Sequence, residues 1–269
     1  ATDARGRLLC GAAVGVNDAA LTRLAPLAEK VCFVQTNYVH LDRVLKDLGI
    51  KKADGILLDL GMSTLQLDHG GRGFSFSRDE PLDMRMDPTQ GPPASELVND
   101  LPADALEKIL RDYGEERRAK SIARRISRER KKGPIESTGR LAKVVASVVP
   151  KTRGPGAKHP ATRTFQALRI AVNGELDNLR AVLDTAPSLL EIKGRLAVLS
   201  YHSLEDRIVK QTMRGWEQAC QCPPDLPRCG CGKKPLFRRV HRKGITPGQP
   251  EIQENPRARC ATLRAAERI

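Results

Sequence analysis

The sequence predicts an α/β fold in which a mostly parallel sheet is interrupted by a helical insertion. In the first third of the chain, helical patterns alternate with short apolar runs, at Leu8–Val16, Val31–Val34 and Gly55–Leu60. Such alternation is typical of parallel strands joined by crossover helices. Another apolar run, Gly194–Tyr201, resumes the sheet after a long stretch of helical patterns.

Two helices are predicted between the first strands, at Asp18–Glu29 and Leu41–Leu48, and Gly49 is a plausible stop for the second. The next segment, Gly61–Pro93, is rich in turn-forming residues and too long for an ordinary connection. Because it follows the carboxyl end of a predicted strand, we expect it to be functional.

The remaining elements complete the predicted organisation. Helices are expected at Ala103–Tyr113, Glu115–Lys132, Ser137–Val149, Thr162–Leu190 and Leu204–Ala219. Edge strands are expected at Phe237–Arg242 and Arg259–Ala265. We divide the chain into a first part of the sheet domain (1–68), a loop and helical insertion (69–165) and a second part of the sheet domain (166–269).

The composition indicates a folded chain that can bury a sizeable core, with 269 residues of which 40% are hydrophobic. Apolar runs are shorter than the roughly 18 residues of a membrane span, and Ala1–Cys10 lacks the layout of a signal peptide. We therefore expect a cytoplasmic protein without a membrane partner. Seven cysteines do not change this expectation, because a chain of this length folds without disulfides.

The charge predicts a polyanionic partner. The formal net charge is +14, and it is concentrated in two segments. Arg111–Lys132 has ten Lys or Arg against four Asp or Glu, and Arg228–Lys243 has seven against none. Clustered cations gain affinity for nucleic acid by releasing counterions from its phosphates. The alternative is a solvated basic surface.

Six segments carry a resemblance to a known family. They are Asp54–Gly61, Arg72–Phe76 with Pro81–Asp87, Tyr113–Glu116, His159–Arg169, His202–Arg207, and Asn255–Arg259 followed by Leu263 and Arg264. In order and spacing they resemble the bacterial small-subunit rRNA cytosine-N4 methyltransferase family. The resemblance implies a Rossmann-like class I methyltransferase sheet with an inserted helical domain. It also implies S-adenosyl-L-methionine as cofactor, a cytidine amine near the decoding site as methyl acceptor, and small-subunit rRNA or the assembled subunit as partner.

The start of the chain departs from the family pattern. Members begin with a strand and a glycine-rich loop, which lets the backbone approach the cofactor. No such loop precedes Ala1, so we expect this element to be missing from the chain as given. An acid that binds the ribose hydroxyls is expected near Val14–Leu21, where Asp18 is the nearest candidate.

The resemblance assigns cofactor contacts to Tyr38, Asp59 and Gln66, in addition to Asp18. Asp59 ends the strand Gly55–Leu60, where doubly wound sheets bind ligands. The alternative for Asp59 is a turn former or helix cap, and for Tyr38 it is a half-buried aromatic at a strand end.

Three residues are candidates for catalysis. Methyl transfer needs mainly correct geometry, with acceptors for the amine protons. Asp59 lies at the carboxyl end of a predicted strand, and Ser63 and His202 follow predicted strands on the ligand side of the sheet. Ser63 can also be an ordinary turn residue. His202 can instead lie at a helix start, with Ser203 as cap and Asp206 completing a capping box.

Substrate contacts are predicted in and after the long loop. Phe74 and Phe76 could stack on an extruded base, or they could form a small core under the loop. Arg163 and Arg169 are expected to contact phosphates or acidic side chains.

Four cysteines form a separate cluster, Cys220, Cys222, Cys229 and Cys231. Their thiolates could make a structural zinc site, stay reduced, or form disulfides. We predict no catalytic metal.

Two other functions stay open at this point. The missing glycine loop is compatible with an RNA-binding or ribosome-assembly factor that retains a methyltransferase fold but is catalytically impaired. The cysteine cluster and the basic tail are compatible with a zinc-dependent nucleic-acid-binding module. The sequence leaves the oligomeric state open.

Overall fold

A computed structural model describes residues 32, 34–62, 71–150, 159–218, 222 and 231–269. The predicted elements before Val31 lie outside the described residues, and of the predicted strand Val31–Val34 only Cys32 and Val34 are described. Asp18, Ser63 and Gln66 also lie outside the described residues. The described chain forms two units, one made of residues up to Gly61 together with Leu176–Ile269, and one made of Met62–Glu175. We call them the sheet unit and the helical unit.

The sheet unit contains four described strands, β1 (Ala53–Asp59), β2 (Leu190–Ser200), β3 (Phe237–Arg239) and β4 (Thr262–Arg268). Their order is β1-β2-β4-β3, with β1 parallel to β2 and the other two pairings antiparallel. The α/β architecture predicted from the sequence is confirmed, and among the described strands the sheet is mixed, whereas the sequence predicts a mostly parallel one. The expectation that both tail strands lie at an edge is wrong for β4, which lies between β2 and β3.

The sheet unit has four described α-helices. They are α1 (Leu41–Asp47), α7 (Glu175–Leu189, whose first residue belongs to the helical unit), α8 (Ser203–Gln218) and the short α9 (Gln249–Glu254). Two of the four, α1 and α8, match predicted helices closely, whereas α9 is not predicted from the sequence. Strand β1 has one buried face and one exposed face. Ile56 and Leu58 are 3% and 1% exposed and join the core, whereas Leu57 and Asp59 on the other face are exposed.

The helical unit consists of α2 (Ala94–Asp100), α3 (Ala103–Asp112), α4 (Ala119–Glu129), α5 (Thr138–Ala146) and α6 (Thr162–Asn173). Each presents an apolar stripe to a common core. In α4, Ile122 and Ile126 are fully buried, and basic residues occupy the opposite face.

The sequence predicts one long helix over Thr162–Leu190, and the structure divides it into α6 and α7. Gly174 separates the two with φ 59° and ψ 30°, the left-handed conformation that ends helices. The amphipathic pattern does not reveal the break, because apolar residues continue at helical spacing on both sides of Gly174.

The segment Arg72–Met86 is not an open loop, because it is bound to the helical unit along its length. Arg72 donates to the Met86 carbonyl at 2.8 Å. The Asn173 side chain donates to the Met84 carbonyl at 2.8 Å and accepts from the Met86 amide at 2.7 Å.

Within the described residues, no helix has the length and hydropathy needed to cross a membrane.

Gly73 provides a test of this packing. It has φ +70°, and a Cβ at this position would stand 2.3 Å from the Pro81 carbonyl oxygen. We expect Gly73→Ala to lower the free energy of unfolding in urea by about 3 kcal/mol, from backbone strain plus overlap. Gly71 is the matched control, because it has φ +80° but no atom within 4 Å of an added Cβ. Gly71→Ala should cost only about 1 kcal/mol, and equal losses for the two variants would contradict the packing described here.

Candidate active site

The carboxyl ends of β1 and β2 lie side by side in the sheet unit. The two strands are parallel, and Asp59 is paired in register with Leu199. The Leu60 amide continues the ladder by donating to the Leu199 carbonyl at 3.1 Å. Asp59 and the residues after Ser200 therefore meet at one edge, which is the edge where open α/β sheets bind their ligands.

A hydrogen bond joins the two strand ends. The Tyr201 hydroxyl donates to Asp59 Oδ1 at 2.8 Å. Burial and, second, this bond to Asp59 raise the pKa of Tyr201 to about 12, so that the phenol keeps its proton at neutral pH. Asp59 itself is exposed, which leaves its carboxylate accessible to a ligand.

Gly61 forms the turn that follows β1. Its φ is +88°, a conformation that strongly favours glycine, and a Cβ there would lie 3.6 Å from Cδ2 of Tyr201. The chain thus turns sharply after β1, next to the Tyr201 ring.

The start of α8 fixes the backbone on the other side of the site. Glu205, only 2% exposed, accepts from the Tyr201 and His202 amides through Oε2, at 2.8 and 3.3 Å. His202 Nδ1 accepts in turn from the Glu205 amide at 3.4 Å. These reciprocal bonds have the pattern of a capping box, with an imidazole as the cap.

The pair of His202 and Glu205 lies one residue before the predicted capping box of Ser203 and Asp206, which stays a prediction. Asp206 is bound at both carboxylate oxygens to Arg264 of β4, with bonds of 2.7 and 3.0 Å.

His202 lies next to Tyr201, but its ring is engaged in the cap. The side chain is 10% exposed, and Nε2 lies 3.2 Å from Glu205 Oε1. Its catalytic role stays a prediction, and the geometry supports the alternative, a helix-start residue.

Tyr38 is the other described candidate for cofactor contact. It begins a 3-10 helix, Tyr38–His40, capped by the Asn37 side chain, which accepts from the Val39 amide at 3.1 Å. The Tyr38 ring is half-buried against the core of the sheet unit.

The predicted substrate contacts all lie in the helical unit. Phe74 is 8% exposed and packs in its core, with the Arg72 guanidinium 5.5 Å from the ring centroid. Phe76 is half-buried, stacks on His159 with ring centroids 4.6 Å apart, and meets Phe165 edge-on. Core packing, the alternative noted from the sequence, accounts for Phe74, whereas base stacking by Phe76 stays a prediction.

The two arginines differ in their surroundings. Arg169 forms a bidentate ion pair with Glu175, at 2.7 and 2.8 Å. The acidic partner expected for Arg169 from the sequence is therefore present. Arg163 is exposed and donates to the Glu115 carbonyl at 3.0 Å.

Only two residues of the cysteine cluster are described. Cys222 and Cys231 are half-buried, and Cys220 and Cys229 lie outside the described residues. The zinc hypothesis thus stays untested.

A model of the MraW methylase family matches residues 14–269. The chain belongs to the MraW methylase family. The resemblance identified from the six motifs is confirmed by this match, and the match includes the stretch around Asp18.

Individual relatives agree with the family match. The chain is 49% identical over 251 residues to ribosomal RNA small subunit methyltransferase H of Symbiobacterium thermophilum, covering 93% of this chain and 79% of that protein. It is 51% identical over 247 residues to the protein of the same name from Syntrophotalea carbinolica, covering 92% of this chain and 79% of that protein. The relative of that name from Lachnospira eligens is 48% identical over 252 residues, with 93% and 80% covered.

The sequence does not single out Tyr201 as a site residue in this MraW family chain. Its one signal is position, since it directly follows the buried run that ends at Ser200, as Asp59 ends β1. The bond to Asp59 links residues 142 positions apart and becomes visible only once the two strands are paired.

Glu205 yields a prediction for stability. Glu205→Ala removes the acceptor for two amides and should lower the free energy of unfolding by about 3 kcal/mol, measured by urea denaturation. Asp177→Ala is the control, because this carboxylate is 77% exposed and pairs only with the exposed Arg180 in the described structure. It should cost less than about 0.5 kcal/mol. Similar small losses for both variants would show that the cap does not hold the site.

Proposed function

We propose that this chain transfers a methyl group from S-adenosyl-L-methionine to the exocyclic N4 amine of a cytidine in small-subunit ribosomal RNA, near the decoding site. One observation carries the proposal: relatives about 49% identical over most of the chain are named ribosomal RNA small subunit methyltransferase H. That name does not favour the alternative of a catalytically impaired RNA-binding factor.

The described residues suit such a cofactor in their donor and acceptor chemistry. Ribose hydroxyls and an ammonium group are hydrogen-bond donors, and they need acceptors at the carboxyl edge of the sheet. Asp59 offers an exposed carboxylate at this edge, beside the left-handed turn at Gly61. We assign cofactor contacts to Tyr38 and Asp59, and, among residues outside the described part, to Asp18 and Gln66.

The chemistry asks for little covalent machinery from the protein. When bound, S-adenosyl-L-methionine supplies a methyl group on a cationic sulfur, and the S–C bond breaks as the N–C bond forms. The cytosine amine is a weak nucleophile, because its lone pair is delocalised into the ring. Asp59 can accept a hydrogen bond from this amine and then the proton that it releases, with Ser63 and His202 as the other candidates for this role.

The Asp59 carboxylate is tested by substitution. Asp59→Ala should lower methylation of small-subunit RNA by at least about 100-fold, because it removes both the acceptor and the base. The measurement is transfer of labelled methyl from S-adenosyl-L-methionine to naked small-subunit rRNA and, in parallel, to the assembled subunit. Asp177→Ala serves as a control for a surface carboxylate. Turnover near the wild-type rate for Asp59→Ala would remove Asp59 from the mechanism.

The helical unit offers the better surface for RNA. Lys120, Arg124 and Arg128 are exposed and follow one another at four-residue spacing on α4, so they form one row. We call this row the basic ridge. Within the described structure no carboxylate lies within 4 Å of its charged groups, whereas the neighbouring Glu129 is bound to Arg125 and Lys132.

The second basic segment is partly neutralised by ion pairs. Arg238 is bound to Glu267 at 2.9 Å, and Arg239 to Glu217 at 2.7 Å. Cations already paired with carboxylates release fewer counterions on meeting phosphate. The basic ridge is thus our candidate for the main RNA contact.

Salt dependence tests the ridge. Replacing Lys120, Arg124 and Arg128 by Gln should weaken RNA binding and reduce the slope of log affinity against log salt by roughly 2, because about three phosphate contacts are lost. Binding of small-subunit RNA is measured by filter retention between low and physiological salt. In the control, Arg180, Lys210 and Arg214 of the sheet unit are replaced by Gln, which changes the net charge by the same amount as in the ridge variant. Equal slopes for the two triple variants would contradict a localised RNA surface.

A further inference from the structure

We propose that Tyr201 and Asp59 together form an acceptor-only pair that recognises an amino group, and that Tyr201 is thereby a specificity-determining residue of the site. This inference rests on the proposed function for the identity of the ligand. It goes beyond that function because it assigns a role to Tyr201 and a direction to each hydrogen bond in the site.

The direction of the hydrogen bond between the two side chains is the basis of the proposal. A phenol has one proton and can accept with its oxygen lone pairs, whereas a carboxylate has only acceptors. The Tyr201 hydroxyl donates to Asp59 Oδ1, with 2.8 Å between the two oxygens. Neither group therefore has a donor left for a ligand. The pair presents the lone pairs of the phenol oxygen and of the carboxylate.

Three features of the sheet unit hold this polarity in place. The raised pKa of Tyr201, about 12, keeps the proton on the phenol. The Tyr201 amide is anchored by the buried Glu205 at 2.8 Å. The turn at Gly61 passes beside the Tyr201 ring, since a Cβ added at Gly61 would lie 3.6 Å from Cδ2 of that ring. The ring and the carboxylate thus meet through elements that are themselves fixed.

An acceptor-only pair discriminates between ligands by their donors. The amine of cytosine presents two N–H groups, one for the phenol oxygen and one for the carboxylate. The corresponding carbonyl of uracil presents only lone pairs, which would face those of the pair. A ligand of the wrong polarity is disfavoured, because its lone pairs face those of the pair and form no hydrogen bond with them. The pair therefore favours cytosine over uracil.

The ammonium of the methionine part of the cofactor has the same donor chemistry. Both ligands belong to the class that the pair would bind, and the experiment separates them.

The variant that tests the proposal is Tyr201→Phe, which keeps the ring against Gly61 and removes only the hydroxyl. Two quantities are measured: the dissociation constant of S-adenosyl-L-methionine by calorimetry, and the single-turnover rate of methyl transfer to small-subunit RNA. If the pair binds the cytosine amine, the rate falls about 10- to 100-fold and the dissociation constant is unchanged. If it binds the cofactor ammonium, the dissociation constant rises about 10-fold. In that second case the affinity for 5′-methylthioadenosine, which lacks the ammonium, stays the same.

Either result supports the pair. Unchanged values for both quantities, in a variant that unfolds at wild-type urea concentrations, would overturn it. Tyr113→Phe is the matched control, since it removes a hydroxyl from the helical unit and should alter neither quantity.

A double-variant comparison separates direct action from a structural effect. With Asp59→Ala as background, Tyr201→Phe should have little further effect, because the phenol has already lost the acceptor that orients its proton. Independent, multiplying effects would show that the two side chains do not act as a pair. Failure of the wild-type protein to methylate small-subunit RNA would instead refute the proposed function, while the calorimetric arm would still report on the pair.

Discussion

The parallel ladder between β1 and β2 is the constraint on which the geometry of the candidate site depends. The ladder sets Asp59 opposite Leu199, so that Tyr201 follows two residues beyond this partner. Side chains alternate between the faces of a strand, and a register shift of one residue would turn Asp59 to the opposite face. The bond from Tyr201 would then be lost. Because both groups stand at the ends of paired strands, the sheet holds them more precisely than flexible loops could.

The beginning of α8 connects the candidate site to other parts of the sheet unit. Glu205 holds the backbone at Tyr201, and the next residue, Asp206, is bound to Arg264 in β4. Strand β4 is also the antiparallel neighbour of β2. The helix is thus attached both to the end of β2 and to β4. Glu205 makes the first attachment and the adjacent Asp206 makes the second. This arrangement explains why a site residue and a structural cap stand so close together in the sequence.

The sequence predicts the strands and most helices, because buried apolar runs and amphipathic patterns are local properties. It fails where a distant residue decides between local alternatives. Asp206, predicted from the sequence as part of a helix cap, is bound at both carboxylate oxygens by Arg264, which lies 58 positions away. The role that we propose for Tyr201 cannot be read from the sequence for the same reason, since its partner Asp59 lies on another strand. Asp59 could be predicted because position at a strand end and family resemblance point to the same residue.

The distribution of charge also depends on contacts between distant residues, which the sequence does not reveal. Along the chain, the second basic segment has the stronger excess, because no acid lies within it. In the folded sheet unit, however, Glu217 and Glu267 come from other parts of the chain and bind Arg239 and Arg238. The segment around α4 contains acids of its own, yet within the described structure none of them lies within 4 Å of the charged groups of the basic ridge. Affinity for a polyanion depends on the cations that remain unpaired after folding, which is why we propose the basic ridge, in the segment with the smaller excess, as the main RNA surface.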